Sequence, residues 1–502
     1  MQTSVFQGWS GLKGNMIALI AGAILPLAFS PFHCYPLAVV SLVLLFASWQ
    51  NGTIKQAAWR GFLFGIGMFG VGVSWVYVAI HDFGQASVFL AALLTALFVG
   101  FLALYLAALA YLLKRITGPI LTSFDLILLL PVAWIIFEWF KAWFLTGFPW
   151  LEIGISQIDG PLAGYTPFIG ALGVSWLVAL TAGLILTIMQ TRRWWLISLV
   201  IAIWVGGSVL QTHTATSPKG EPIKVSLIQG NIPQEIKWNP EQLFKTLALY
   251  QARTEQNWDS DLVIWPENAV TVFHHQAKEL FLDPLAELAR DNETDILLGL
   301  PVMQQDSRHY FNSMMVLGDE EAFYHKRHLV PFGDYVPLAW LRGLIEFFDL
   351  PMSSFIAGDD GQALLRAAGH DIGVSICYED TFSNEVLDTV PEASLLVNAT
   401  NNAWYGDSFA PHQHLQISRN RALETGRPVL RATTNGISAL IDFDGQLIKQ
   451  SAQFEEVVLT GQVQARQGAT AYVSYGRMPI LLISLFMLLV WAYYRRTLQP
   501  IK

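Results

Sequence analysis

Apolar stretches crowd the first 212 residues of this chain. Seven of them lie near 14–31, 36–50, 58–80, 86–113, 118–145, 161–190 and 194–211, and an eighth runs from Met478 to Tyr494. A helix of roughly 20 apolar residues crosses the hydrocarbon of a bilayer. In lipid, a backbone satisfies its own N–H and C=O groups only as a helix or a closed barrel. The pattern therefore predicts an α-helical membrane bundle of about eight transmembrane helices. The second and eighth stretches are short for this role and the fourth and fifth are long, which local thinning and tilt accommodate. The first carries no small-residue cleavage pattern and is read as a retained span, not a removed signal. Charge content agrees: 14% of residues are charged, against about 25% in a soluble protein.

The loops between the stretches alternate in character. Lys13 precedes the first; Lys55 and Arg60 lie between the second and third, Lys114 and Arg115 between the fourth and fifth, and Arg192 and Arg193 between the sixth and seventh. Arg495, Arg496 and Lys502 follow the last. The other loops hold His33, His81, Asp82, Glu152 and Asp159 and neither Lys nor Arg. Basic loops stay on the cytoplasmic side. The expected topology is an inner N-terminus, seven crossings over residues 1–212, an outer domain over 213–477, and a return span with a short inner tail over 478–502. Within the fifth stretch, Glu138 and Lys141 stand three apart, the spacing of a helical pair.

The middle segment has a different composition. Residues 213–477 hold 19 Lys and Arg against 34 Asp and Glu, an acidic balance that excludes a nucleic-acid partner, which needs a basic face. Short Val- and Ile-rich runs at Ile223–Ile232, Leu262–Trp265, Asp295–Val302, Asn312–Leu317, Ile372–Cys377, Leu395–Ala399 and Val429–Thr433 predict strands. Helical patterns at Gln276–Arg290 and His412–Thr425 fall between them. Strands alternating with helices predict a layered α/β domain. The two cysteines, Cys34 and Cys377, lie in different sections, so no disulfide framework is implied. His412 and His414 lack the spacing and the cysteine partners of a zinc site, so neither metal nor cofactor is expected.

Three strand ends deliver chemically distinct groups. Glu267 follows a buried strand in LVIWPEN, Lys326 precedes a Pro/Gly-rich loop in YHKRHLVPFGDYVP, and Cys377 ends an apolar strand in DIGVSICYED. Rigid sheets commonly aim catalytic groups into a cleft from such positions. A thiol is a nucleophile only as thiolate, a carboxylate in reach can take its proton, and an ammonium can stabilise the oxyanion of a tetrahedral intermediate. Glutamate, lysine and cysteine together suit acyl transfer through a thioester. Each alone would be an ordinary residue.

The wording around these residues resembles the apolipoprotein N-acyltransferase branch of the carbon–nitrogen hydrolase (nitrilase) superfamily. The segments that carry the resemblance are IQGNIPQEIKW, LVIWPEN, YHKRHLVPFGDYVP, ICYED, NATNNAWYG and RALETGRPVLRATTNG, in that order. It implies a nitrilase-like αββα sandwich beside the membrane bundle, with Glu267 as general base, Lys326 as oxyanion stabiliser and Cys377 as nucleophile. It also implies supporting or substrate-binding roles for Trp238, Asn312, Tyr378, Glu379 and Trp404. Asp334 belongs with them but departs from the family pattern: the loop reads PFGD where PFGE is the family form, one methylene longer. The implied reaction is a ping-pong transfer of an acyl chain from a phospholipid to the N-terminal amine of a diacylated lipoprotein. The implied setting is the bacterial inner membrane, multi-pass, with the catalytic domain on the periplasmic side and the chain acting as a monomer.

The stretch PLAWLRGLIEFFDLPMSSF, residues 337–355, is strongly apolar within an otherwise polar domain. Its Trp340, Leu344, Phe347 and Phe348 are expected to form an arm that contacts lipid. Two other readings are open at this stage. A membrane-anchored amidase or nitrilase would use the same triad, and a transporter or sensor could carry an inactive outer domain.

Overall fold

A computed structural model of the chain describes residues 9, 11–305, 307–317, 321–335 and 354–498. The chain divides into two compact units: Met1–Tyr77 with Phe89–Thr214 and Ser474–Lys502, and Val78–Val88 with Ala215–Val473.

The first unit is helical. Helices Gly11–Ile24 and Ile54–Gly72 cross at glycines. A Cβ on Gly22 would stand 2.0 Å from the Phe64 carbonyl oxygen, and one on Gly67 would stand 2.3 Å from that of Leu19. Small residues let helix backbones approach closely where lipid supplies no hydrophobic drive.

About eight spans were expected, and the helices account clearly for part of that number. Among the described residues four helices are long and apolar enough to cross a membrane: Gly11–Ala28, Val88–Thr117, Pro161–Thr191 and Met478–Thr497. Ile54–Gly72 with Val76–Phe83 makes a fifth if the bent pair is one span. Pro36–Trp49 and Leu196–Leu210 have 14 and 15 residues, which rise about 21–23 Å at ~1.5 Å per residue, short of the ~30 Å core. The stretch 118–145 is divided into a π-turn, Asp125–Leu129, and a helix, Leu130–Lys141. Pro131 lacks the N–H that would continue the ladder there. The hydrogen bonds of Glu138 and Lys141 go to different partners. Glu138 Oε1 accepts from Trp134 Nε1 and the Ile153 amide, both at 2.9 Å, while Lys141 Nζ donates to the carbonyls of Phe148 and Trp150 at 2.9 and 2.6 Å.

The second unit holds strands β1 (Ser217–Pro218), β2 (Ile223–Gln229), β3 (Leu262–Ile264), β4 (Asp295–Met303), β5 (Tyr310–Leu317), β6 (Ala322–His325), β7 (Leu365–Ala367), β8 (His370–Ile376), β9 (Leu395–Thr400), β10 (Val429–Thr433), β11 (Ala439–Ile441), β12 (Leu447–Gln450), β13 (Val457–Val463) and β14 (Arg466–Gln467). β1 pairs with β14. The others form two six-stranded sheets, ordered β13-β2-β3-β4-β5-β6 and β12-β11-β10-β9-β8-β7. Each sheet has two parallel pairs at its centre, β2/β3/β4 in one and β8/β9/β10 in the other, with antiparallel strands outside them. The two sheets repeat one pattern.

Side-chain alternation sorts each strand between two cores. Val225, Leu227, Ile264, Leu297 and Val316 of one sheet pack against Ile372, Val374, Val397, Leu430 and Leu440 of the other. The outer face of the first sheet, through Ile228, Val263, Ile296 and Leu298, is covered by Leu247 and Tyr250 of helix Pro240–Glu255 and by Leu285 and Ala289 of helix Asp283–Asp291. The outer face of the second, through Leu396, Val429 and Ile441, is covered by Val386, Leu415 and Ala422, the last two on helix Phe409–Thr425. The order of layers is helix, sheet, sheet, helix.

Candidate active site

Three chain segments bring Glu267, Lys326 and Cys377 together inside the second unit. Glu267 lies on the turn after β3. Trp265, fully buried, anchors that turn by stacking on Tyr250 at 5.0 Å and donating Nε1 to Thr254 Oγ1 at 3.0 Å. The turn leans on β4, where Trp265 N bonds Leu297 O and Val270 N bonds Gly299 O. A Cβ on Gly299 would sit 2.5 Å from the Pro266 carbonyl oxygen and 2.8 Å from Glu267 Cα, so only glycine admits the turn at this distance.

The Glu267 carboxylate is held at both oxygens. Oε1 accepts from Asn312 Nδ2 at 2.7 Å, and Oε2 accepts from the Asn401 amide at 2.8 Å. Lys326 follows β6 and is almost fully buried. Its ammonium lies 2.8 Å from Asp334 Oδ2 and 3.5 Å from Glu267 Oε1. Asp334 also accepts the Val330 amide at 2.8 Å, which closes the loop that carries it. The shorter aspartate therefore reaches the lysine.

Cys377 ends β8 with φ at +53°, a backbone region rare outside glycine. Strain of this kind gathers where the surrounding structure over-determines a reactive residue. Its carbonyl accepts from Asn398 Nδ2 at 3.2 Å and His414 Nε2 at 3.1 Å. Because a carbonyl only accepts, His414 carries its proton on Nε2, shared with Asp380 Oδ1 at 2.7 Å. Burial, together with Arg431, lowers the His414 pKa, which keeps the ring neutral in that tautomer.

Glu379 ties two of the segments together. Its Oε2 accepts the Ile376 amide at 2.6 Å, just before the cysteine. Its Oε1 accepts the Arg327 and His328 amides at 2.6 and 3.1 Å, just after the lysine. Tyr324 Oη donates to the same carboxylate at 3.1 Å. Burial pushes the Glu379 carboxyl up to about 7. Tyr378 packs edge-on against His328 and Phe382, with centroids at 5.9 and 5.1 Å.

Trp238 and Trp404 are half-buried on neighbouring turns. Trp404 meets Phe83 edge-to-face at 6.2 Å, and neither ring gives a hydrogen bond to the polar network among the described residues. The arm residues Trp340, Leu344, Phe347 and Phe348 lie outside the described residues.

Burial, joined by Glu267, pushes the Cys377 thiol up to about 12, against the pull of Lys326 and a Thr400 hydrogen bond. For Lys326, burial works against the charge, but Asp334, Glu267 and Cys377 outweigh it and raise the ammonium well above its ordinary value. The site thus holds a permanent cation, an acceptor carboxylate and a protonated sulfur. A thiol in this state becomes a nucleophile only when the carboxylate takes its proton during attack.

Sequence reading missed Lys237, which is buried and donates Nζ to the Glu267 carbonyl at 3.0 Å. It also missed Asn401, whose amide bonds the Glu267 carboxylate. Both lie in quoted segments, IQGNIPQEIKW and NATNNAWYG, but their contacts span 30 and 134 residues and leave no local periodicity.

Comparison with known proteins places the chain. Residues 21–184 match the model of the apolipoprotein N-acyltransferase N-terminal domain, and residues 224–472 match that of carbon-nitrogen hydrolase. The apolipoprotein N-acyltransferase of Methylococcus capsulatus is 45% identical over 474 residues, covering 93% of this chain and 94% of that protein. The enzyme of that name from Pseudomonas paraeruginosa is 41% identical over 503 residues, covering 98% and 97%. Likeness of this degree runs through the helical unit and the two-sheet unit alike, so the chain belongs to the apolipoprotein N-acyltransferase family.

Proposed function

We propose that the chain moves a fatty acyl group from a phospholipid to the N-terminal amine of the diacylglyceryl-cysteine of an apolipoprotein, through a thioester on Cys377. The observation that carries this reading is the buried trio of Glu267, Lys326 and Cys377, in which Asp334 is the nearer carboxylate to the lysine, at 2.8 Å against 3.5 Å for Glu267.

In the first half-reaction Glu267 takes the thiol proton and the sulfur attacks the ester carbonyl. Lys326 stabilises the oxyanion as it forms. The carbon–oxygen bond breaks, the lysophospholipid leaves with the proton held by Glu267, and the acyl thioester remains. In the second half the lipoprotein amine attacks that thioester, Glu267 takes the ammonium proton, and the sulfur departs as thiol. Asn312 and the Asn401 amide hold Glu267 in place throughout, Asp334 holds Lys326, and Glu379 fixes the backbone beside both partners. Trp238 and Trp404 line the approach.

The membrane portion spans 1–212 and the catalytic domain 213–477, on the periplasmic side of the inner membrane, a reading that the basic loops support. The C-terminal span follows at 478–502, and the chain acts as a monomer. The apolar segment 337–355 serves as the lipid contact.

A two-step assay tests the reading. Protein is loaded with phospholipid, excess lipid is removed, and a diacylated lipopeptide with a free N-terminus is added. Stoichiometric appearance of triacylated peptide with loss of the adduct is expected. Release of free fatty acid without peptide acylation would make the chain a hydrolase instead.

A further inference from the structure

The residues that hold Glu267 point to a second lysine. Helix Gln234–Lys237 is one turn long and sits against the Glu267 turn. Gln234 Oε1 accepts from Asn401 Nδ2 at 2.8 Å, and the Asn401 amide in turn donates to Glu267 Oε2 at 2.8 Å. Lys237 Nζ donates to the Glu267 carbonyl at 3.0 Å and reaches Thr434 Oγ1 at 3.4 Å. The residue is 2% exposed. A lysine this buried is rare unless its charge is matched.

Charge counting explains the match. Glu267 and Asp334 bring two negative charges, and Lys326 balances one. When Glu267 takes the thiol proton, its negative charge passes to Cys377 and the total stays at two. We infer that Lys237 is a positioning residue for the loading half-reaction: its ammonium pins the main chain of Glu267, and its charge offsets the negative charge that moves between Glu267 and Cys377. This rests on the acyl-transfer reading above and adds a fourth ionisable group to its triad.

The titratable groups that face Lys237 are Glu267, on the turn after β3, and Cys377, at the end of β8. Lys326 reaches the same Glu267 carboxylate from the end of β6, and Glu235 on the same short helix is exposed. Burial lowers the Lys237 ammonium to about 8, with Glu267 and Cys377 resisting the drop. The charge is therefore present below that pH and is lost as pH rises through it. An ordinary buried lysine used for packing alone would leave no such mark on the chemistry.

The test measures the rate of Cys377 acylation by phospholipid alone, from pH 6 to 10, in detergent-solubilised full-length protein. No acceptor amine is present, so its own titration does not enter. In the wild-type protein the rate is expected to fall above pH about 8. Lys237→Met should load about 10²-fold more slowly at pH 7, the scale of a small misplacement of a reacting group, and should lose the alkaline fall. Lys237→Arg, which stays charged, should carry its rate to higher pH. A wild-type rate flat to pH 9.5 would overturn the inference, even if both variants fail to fold. So would loading by Lys237→Met at the wild-type rate, or an alkaline fall that stays in place in both variants. Absence of any adduct on Cys377 in the wild-type protein would instead overturn the acyl-transfer reading itself, so the two failures are told apart.

Discussion

Lys326 Nζ lies 2.8 Å from Oδ2 of Asp334, nearer than the 3.5 Å that separates it from Glu267. The ammonium therefore leans on a carboxylate outside the triad and leaves Glu267 available to accept a proton. Removing that support should cost both structure and rate. Asp334→Ala is expected to lower stability by about 3 kcal/mol, the low end for breaking a buried ion pair, because Glu267 remains as a second partner. Asp334→Glu should keep the pair and most of the activity. Melting temperatures and loading rates of the two variants check this together.

Glu267→Gln keeps the shape of the side chain but removes the base. Loading of Cys377 from phospholipid is expected to slow by about 10²–10⁴-fold, with the melting temperature close to wild type. The check is the time course of the adduct by intact-mass spectrometry. A wild-type time course would remove Glu267 from the mechanism.

Gly299 touches no substrate in this account, yet it sets where Glu267 stands. A methyl group there would meet the Pro266 carbonyl oxygen at 2.5 Å, and backbone cannot give way as a flexible side chain can. Gly299→Ala is expected to shift the Glu267 turn and reduce loading by about 10²-fold while the sheets remain folded. Circular dichroism and the loading rate, measured on one sample, separate a local displacement from unfolding.

The raised Cys377 thiol gives a pH test without lipid. With a pKa of about 12, its thiolate is a minor species at neutral pH and grows only as pH climbs towards 12. Since alkylation needs the thiolate, the rate at Cys377 should still be climbing above pH 10, where an ordinary thiol with pKa near 8.5 has levelled off. Peptide mapping after iodoacetamide pulses gives the rate at Cys377 at each pH. A plateau at Cys377 by pH 9 would contradict the picture of a protonated sulfur activated only during attack.

The parts of the fold most legible in the sequence were those set by local pattern. The central strands read directly from apolar runs: the run at Leu262–Trp265 forms β3 over Leu262–Ile264, and that at Val429–Thr433 forms β10 over the same residues. The edge strands β7 and β12 have three or four residues and include exposed positions, and the buried β11 beside β12 has three, all too short to leave a period. The helix expected over Gln276–Arg290 is divided by a π-turn, Lys278–Leu282, before Asp283–Asp291, where Pro284 starts a new helix. The membrane count is met only in part because apolarity marks a stretch without fixing its length as one helix, as Pro131 shows. In the site, motif wording picked out Glu267, Lys326 and Cys377, which the fold brings together, but the network behind them is tertiary. Lys237 and Asn401 meet Glu267 only once β3, β9 and the short helix are in place, and no spacing in the chain announces that.

The most direct test asks whether the sulfur of Cys377 carries an acyl chain. Full-length protein is exposed to a phospholipid of known chain length, with no acceptor, and then digested and mapped by mass spectrometry. The account predicts one hydroxylamine-labile acyl group on the peptide containing Cys377, and none anywhere on Cys377→Ala. An acyl group on another residue, or wild-type transfer to lipopeptide by Cys377→Ala, would contradict it.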